Sequence, residues 1–225
     1  MLEVISIHIP KTAGTSFLEI CNKNYNKGEV YHYIERKNRL RKVKKQVSIY
    51  TMPSKTKVLH GHLTYKHLRL IHKWNNSKVI TWLRDPVERA ISWYLFQQRT
   101  IHNNPETNPY KEYKGMPIID FLSMEEYRNV MSKFLQGIEL EDLFFFGFIE
   151  SFHNDLKQLA NMMKWQKINL THENSNEAFK KAHYHSITKT EREKIKDLNE
   201  EDVLLYEKAL LLKSLSSEDD NSLRF

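Results

Sequence analysis

Val4-Ile5-Ser6-Ile7-His8-Ile9-Pro10-Lys11-Thr12-Ala13-Gly14-Thr15-Ser16-Phe17-Leu18-Glu19-Ile20 sets the pattern of the whole chain. Its β-branched first half stops at Pro10, a short hydroxyl-rich loop follows, and Phe17, Leu18 and Ile20 resume an apolar pattern suited to a helix. This is strand, tight loop, helix. The loop from Pro10 to Ser16 offers one lysine, three hydroxyls, one glycine and a run of backbone N–H groups entering a helix N-terminus, which together make a cradle for an anion. It is not a Gly-x-x-x-x-Gly-Lys-Ser/Thr loop, because Lys11 precedes the only glycine. A plain helix start with an incidental lysine is the competing reading.

Further along, the same alternation repeats. Lys57 to His60 and Val47 to Tyr50 are strand candidates. Lys78 to Leu83 is a clearer one, ending at Arg84-Asp85-Pro86. From Pro86, Val87, Ala90, Ile91, Tyr94 and Leu95 recur at helical spacing. Leu143 to Ile149 is nearly all apolar, as in a strand buried on both faces. Amphipathic helices are expected at Met124 to Leu135, Phe152 to Met163, Thr190 to Leu198 and Glu200 to Leu215. Strands alternating with helices predict a single α/β domain, residues 1–215, with a mostly parallel central sheet flanked by helices and a polar C-terminal tail, 216–225. Ligands of such sheets bind at the carboxyl ends of the strands. Function is therefore sought at Pro10 to Ser16, His60 to His62 and Arg84 to Ser92.

Composition narrows the classes. The 225 residues contain 40% hydrophobic and 28% charged side chains, which excludes a disordered or collagen-like chain. The one cysteine, Cys21, excludes an internal disulfide framework and leaves too few thiolates for a structural zinc or iron–sulfur site. No stretch approaches the ~20 apolar residues of a membrane span. The N-terminus lacks the pattern of a secretory signal, so the expected location is cytoplasmic. Lys and Arg outnumber Asp and Glu by 35 to 28, a formal charge of +7. Arg36, Lys37, Arg39, Arg41, Lys42, Lys44 and Lys45 account for all of that excess. A broadly basic nucleic-acid-binding surface is thus not indicated. This run reads either as a solvated face or as a strip that attracts a polyanionic acceptor or anionic cofactor.

Two further groups carry chemistry. Arg84 stands at a strand end and Ser92 about two turns into the following helix, so a planar fork of donors and a rotatable hydroxyl are available for a phosphate. A structural Arg-Asp pair closing the turn is the alternative. His60-Gly61-His62 ends a strand candidate, and if it stays extended both imidazoles share one face. Histidine is suited to taking a proton near neutral pH. No third ligand at a telling spacing follows, so a metal site is not expected.

The segment Ile7 to Phe17 resembles the 5′-phosphosulfate loop of sulfotransferases that use 3′-phosphoadenosine 5′-phosphosulfate (PAPS), particularly the uronosyl 2-O-sulfotransferase branch. Val79-Ile80-Thr81-Trp82-Leu83-Arg84-Asp85-Pro86-Val87-Glu88-Arg89-Ala90-Ile91-Ser92-Trp93-Tyr94 resembles that family's 3′-phosphate motif. His60-Gly61-His62 is similar to its histidine pair. Phe146 to Phe152 and Leu198 to Tyr206 look like its late blocks. The resemblance implies a P-loop-nucleotide-kinase-like sulfotransferase fold. It implies PAPS as donor and 3′-phosphoadenosine 5′-phosphate (PAP) as product. Lys11, Thr12, Ala13, Gly14, Thr15, Ser16, Arg84 and Ser92 would bind the nucleotide, with His62 as catalytic base, His60 as its support and Lys11 as catalytic cation. Eukaryotic members usually carry a Golgi anchor and disulfides, and this departure favours a bacterial or viral cytoplasmic enzyme.

The expected reaction is metal-independent, in-line sulfuryl transfer to an acceptor hydroxyl of a glycan, glycolipid or small metabolite. Tyr94, Gln97, Gln98, Arg99 and His102 are candidates for an acceptor cleft, with Asn103 to Gly115 as a mobile loop over it. The rival readings are a small P-loop-like ATP-dependent kinase, which would need magnesium, and a non-catalytic nucleotide- or polyanion-binding module.

Overall fold

The structure, a computed structural model, describes residues 1–33, 52–170 and 187–222. The basic run from Arg36 to Lys45 and the strand expected at Val47 to Tyr50 lie outside the described residues. The chain groups into two compact units, residues 1–83 with 133–175 and residues 84–132 with 176–225.

Among the described residues, the first unit holds five strands: β1 (Val4–Ile7), β2 (Val30–Tyr33), β3 (Val58–Gly61), β4 (Lys78–Leu83) and β5 (Phe145–Phe148). They form one sheet in the order β2-β3-β1-β4-β5, and every pairing is parallel. The helices α1 (Gly14–Asn24), α2 (Tyr65–Asn75) and α6 (Phe152–Met163) belong to this unit. All four residues of β1 and of β3 are buried, as a parallel sheet covered by helices requires.

Phe17, Ile20 and Cys21 of α1 and Phe152, Leu156 and Leu159 of α6 pack with Val4, Val58, Ile80 and Trp82 in one core. Their i, i+3, i+4 spacing is what lays one helical face on the sheet. Trp82 has Phe152 at 4.4 Å and Phe17 at 5.7 Å between ring centroids. Its register partner on β5 is Gly147, where a Cβ would come within 2.4 Å of the indole. The glycine is therefore room for the tryptophan.

The second unit is helical. Its helices are α3 (Pro86–Asn103), α4 (Ile118–Leu122), α7 (Lys189–Asp197) and α8 (Glu200–Ser222). α5 (Val130–Leu135) begins in this unit and ends in the first. Asp85 caps α3 by accepting from the Glu88 N–H at 2.9 Å, and Pro86 occupies the first turn. Ala90, Ile91, Leu95, Phe121, Leu122, Tyr127 and Ile195 form its core.

Two expectations need correction. A single helix from Met124 to Leu135 is absent: a short turn at Glu125–Tyr127 is separated from α5 by Asn129, whose φ is 47°. The buried Asn199 accepts from the Asn129 N–H at 3.0 Å, and Asp202 accepts from the Met131 and Ser132 N–H groups at 3.0 and 2.8 Å. These buried side chains hold the break. The last helix continues to Ser222 instead of stopping at Leu215. Of the residues considered for an acceptor cleft, Tyr94 donates to the Met116 carbonyl and Gln98 ties Tyr113 and Gly115, so these two side chains fasten the 113–116 segment, while Gln97 is buried.

Candidate functional site

β1 is the central strand, and the chain leaves it for β2 on one side and later takes up β4 on the other. The loop after β1 thus stands at the point where the strand order reverses, where open α/β sheets bind ligands. Two of its residues, Lys11 and Ala13, take left-handed backbone conformations, with φ of 70° and 57°. A non-glycine residue there costs roughly 1–2 kcal/mol. Turns of this kind gather successive N–H groups into a concavity that favours an anion.

Immediately after it, α1 starts with Ala13 as its cap residue, without a side-chain cap bond and without an acid in the first turn. The first intrahelical bond runs from the Phe17 N–H to the Ala13 carbonyl at 3.0 Å. The N–H groups of Gly14, Thr15 and Ser16 precede that ladder and carry the positive end of the helix dipole. Thr15 is exposed and Ser16 half-buried. Thr12 differs: it is buried, and its hydroxyl donates to the Ile9 carbonyl at 2.8 Å. It shapes the loop, and what it offers an anion is its main chain.

The histidine pair lies beside this loop in the same unit. His60 is buried and pairs in register with Ser6 of β1, whose hydroxyl lies 2.9 Å from its Nδ1. His62, just past β3, is half-buried, and its Nδ1 lies 2.8 Å from the His8 carbonyl oxygen. A carbonyl only accepts, so Nδ1 carries the proton, and neutral His62 presents an unprotonated Nε2.

His8 was not among the candidates, yet its ring stacks on both: centroids lie 4.1 Å from His62 and 5.0 Å from His60, each at 26°. His32 of β2 adds a fourth imidazole, 5.4 Å from His60. Burial, and then the neighbouring imidazoles and Lys11, push His8 down to about 2; burial, His32 and His62 push His60 down to about 3. Burial also lowers His32. His8 and His60 are therefore neutral at physiological pH. The one sign of His8 in the sequence was an imidazole interrupting a β-branched run just before Pro10.

In the second unit, Arg84 directly follows the last residue of β4 and Ser92 is buried on α3. Between them, Arg89 is wholly buried, with its Nε 3.9 Å from Asp202. Burial brings the Arg89 guanidinium down to about 10, against the opposing pull of Asp202, so it stays charged. The block Leu198 to Tyr206 carries the structural acid Asp202, and the block Phe146 to Phe152 is held by Asp155, three residues past it, which accepts from the Phe148 N–H at 2.7 Å and the Ser151 hydroxyl at 2.8 Å.

Comparison with known proteins is consistent with this architecture. The model of the sulfotransferase family matches residues 2–209, and the chain belongs to that family. Among solved structures, the chain is similar to a mouse sulfotransferase, SULT7A1, in complex with PAP, at a TM-score of 0.50 and 16% identity. The match covers 84% of this chain and 65% of the mouse protein, and at that identity it speaks for the fold alone. No curated protein matches the sequence. Among the described residues no helix is long and apolar enough to cross a membrane.

Proposed function

We propose that this protein moves the sulfuryl group of PAPS to an acceptor hydroxyl, by in-line displacement with His62 as general base. One observation carries the reading: a helix N-terminus without a side-chain cap, entered through the left-handed Lys11–Ala13 turn, lies beside a histidine whose Nδ1–H is committed to a carbonyl. The donor set fits a nucleotide phosphosulfate, because main-chain N–H groups and one lysine suit a singly bonded anionic oxygen better than a metal.

When bound, the nucleotide supplies an electrophilic sulfur and a good leaving group. His62 takes the acceptor proton at Nε2 as its oxygen attacks. Lys11 and the N–H groups from Thr12 to Ser16 stabilise the charge that grows on the departing oxygen, and each such donor contributes ~10²- to 10³-fold in rate. His60, neutral and tied to Ser6, supports the base. Arg84 and Ser92 are assigned to the 3′-phosphate on their sequence likeness. The acceptor is assigned to a carbohydrate on the likeness of His60-Gly61-His62 to the uronosyl enzymes, and a cytoplasmic location fits the free, buried Cys21.

The test is a metal-free thermal shift comparing PAP with AMP and with ATP plus magnesium. Saturation at 100 times the dissociation constant stabilises by ~2.7 kcal/mol. A shift with PAP alone supports the proposal. A shift with ATP and magnesium but not PAP overturns it in favour of a kinase.

A further inference from the structure

We infer that His8 is the positioning residue of the site: its ring is the spacer that sets the plane of His62 and so keeps the His62 Nδ1–H on the His8 carbonyl, and its edge locks both to the start of α1. Three contacts carry this. The His8 ring stacks face to face on His62 at 4.1 Å. Its own carbonyl receives the His62 Nδ1–H at 2.8 Å. Its edge rests on Gly14, the first residue of α1, so closely that a Cβ there would lie 1.9 Å from His8 Cδ2 and 2.0 Å from Nε2. One residue thus touches the base with its ring, fixes the base's proton with its main chain, and leans on the helix end that forms the cradle.

The groups facing His8 explain why an imidazole works as an uncharged plate. His62, His60, His32 and Lys11 shift it, and among the described residues no carboxylate does. A proton on His8 would oppose the Lys11 cation and any proton on the three imidazoles. Its Nδ1 is buried without a hydrogen-bond partner, which a neutral ring tolerates far better than an imidazolium. Ring stacking of this kind holds a neighbouring side chain in one rotamer without competing for its acceptor nitrogen. His62 is thereby held in one plane with its Nδ1–H on the His8 carbonyl.

The proposal predicts a pattern across three variants. His8→Ala removes the plate, His8→Phe keeps a flat neutral ring without nitrogens, and Gly14→Ala pushes the existing ring off its seat. Long-range nitrogen–proton NMR of the whole protein reads the His62 tautomer and its titration without needing turnover, with thermal melts confirming that each variant folds. In the wild type, His62 is the Nδ1–H tautomer. In His8→Ala and in Gly14→Ala the other tautomer enters and the His62 titration moves. His8→Phe restores the wild-type signature.

The rate readout rests on the proposed function. Misplacing a catalytic group by about 1 Å costs roughly 10²-fold, so His8→Ala should lose about that much in kcat with little change in KM for the nucleotide, and His8→Phe should recover most of it. A His62 tautomer and titration unmoved in both His8→Ala and Gly14→Ala would overturn the inference. Loss in His8→Phe equal to that in His8→Ala would also overturn it, because the nitrogens and not the plate would then matter. If no acceptor is turned over by the wild type while the tautomer pattern holds, the sulfuryl-transfer reading fails and the positioning role of His8 stands.

Discussion

Acidification from about pH 7.5 to about pH 5, at constant ionic strength, should strip a calculable amount of stability from the first unit. His8 and His60 are held near 2 and 3 against an ordinary 6.5. In the folded chain both stay neutral over this window, whereas in the unfolded chain each takes up a proton as the pH falls through 6.5. The unfolded state then binds more protons, so the free energy of unfolding rises with pH and is lost on acidification.

At pH 5 each unfolded imidazole lies about 1.5 units below its pKa, which at about 1.36 kcal/mol per unit gives about 2 kcal/mol per site and about 4 for the pair. This amount depends only on the folded values lying well below 5. It is a large share of the ~5–15 kcal/mol that holds most domains folded. Glu29 and Glu191, whose hydrogen bonds lower their pKa values, lose their contribution only at still lower pH. Urea titrations followed by circular dichroism across the pH series measure the effect. His60→Gln should remove about half of the slope. An unfolding free energy that stays flat across the window would refute the burial of neutral imidazoles as the cause.

Other consequences are equally direct. His62→Ala should lower turnover ~10²- to 10⁴-fold and leave the PAP dissociation constant unchanged, as calorimetry and single-turnover rates would show. Arg84→Ala should weaken binding of PAP while leaving AMP binding alone; equal losses for both nucleotides would reassign the residue. Asp202→Ala leaves the buried Arg89 charge without its carboxylate and removes the acceptor of Met131 and Ser132. It should cost about 3–5 kcal/mol in a denaturant melt. Cys21 is buried with its thiol pushed up to about 12, so a thiol reagent should react only once the chain is unfolded.

Where local pattern decides the outcome, the sequence is a good guide. β4 from Lys78 to Leu83 and α6 from Phe152 to Met163 match their expected limits, because a six-residue run with Val79, Ile80 and Thr81 at its centre and an i, i+3, i+4 apolar stripe each have one low-energy arrangement. β2 and α2 escaped notice for the opposite reason. Val30-Tyr31-His32-Tyr33 is a short strand, outermost among the described strands, and α2 hides its buried Tyr65, Leu68 and Ile71 among lysine, arginine and histidine. The phosphate-loop candidate was legible because strand, turn and helix start are contiguous. The His8 stack and the Ser6–His60 bond were not, since they arise from parallel pairing of β1 with β3, more than fifty residues apart. Thr12 shows a subtler limit: its residue type permits a ligand contact, but its inward rotamer gives the hydroxyl to Ile9.

The position of β1 between β3 and β4 has a consequence for how the protein breathes. The loop that carries Lys11 springs from a strand bonded on both sides, so its amides at the strand end should exchange with solvent only through global opening, whereas those of β2, outermost among the described strands, should exchange through local fraying. A ligand held at that loop would then slow exchange across the entire cooperative unit by its full binding free energy. Deuterium uptake in β1 becomes a gauge of occupancy, readable without any acceptor or any turnover.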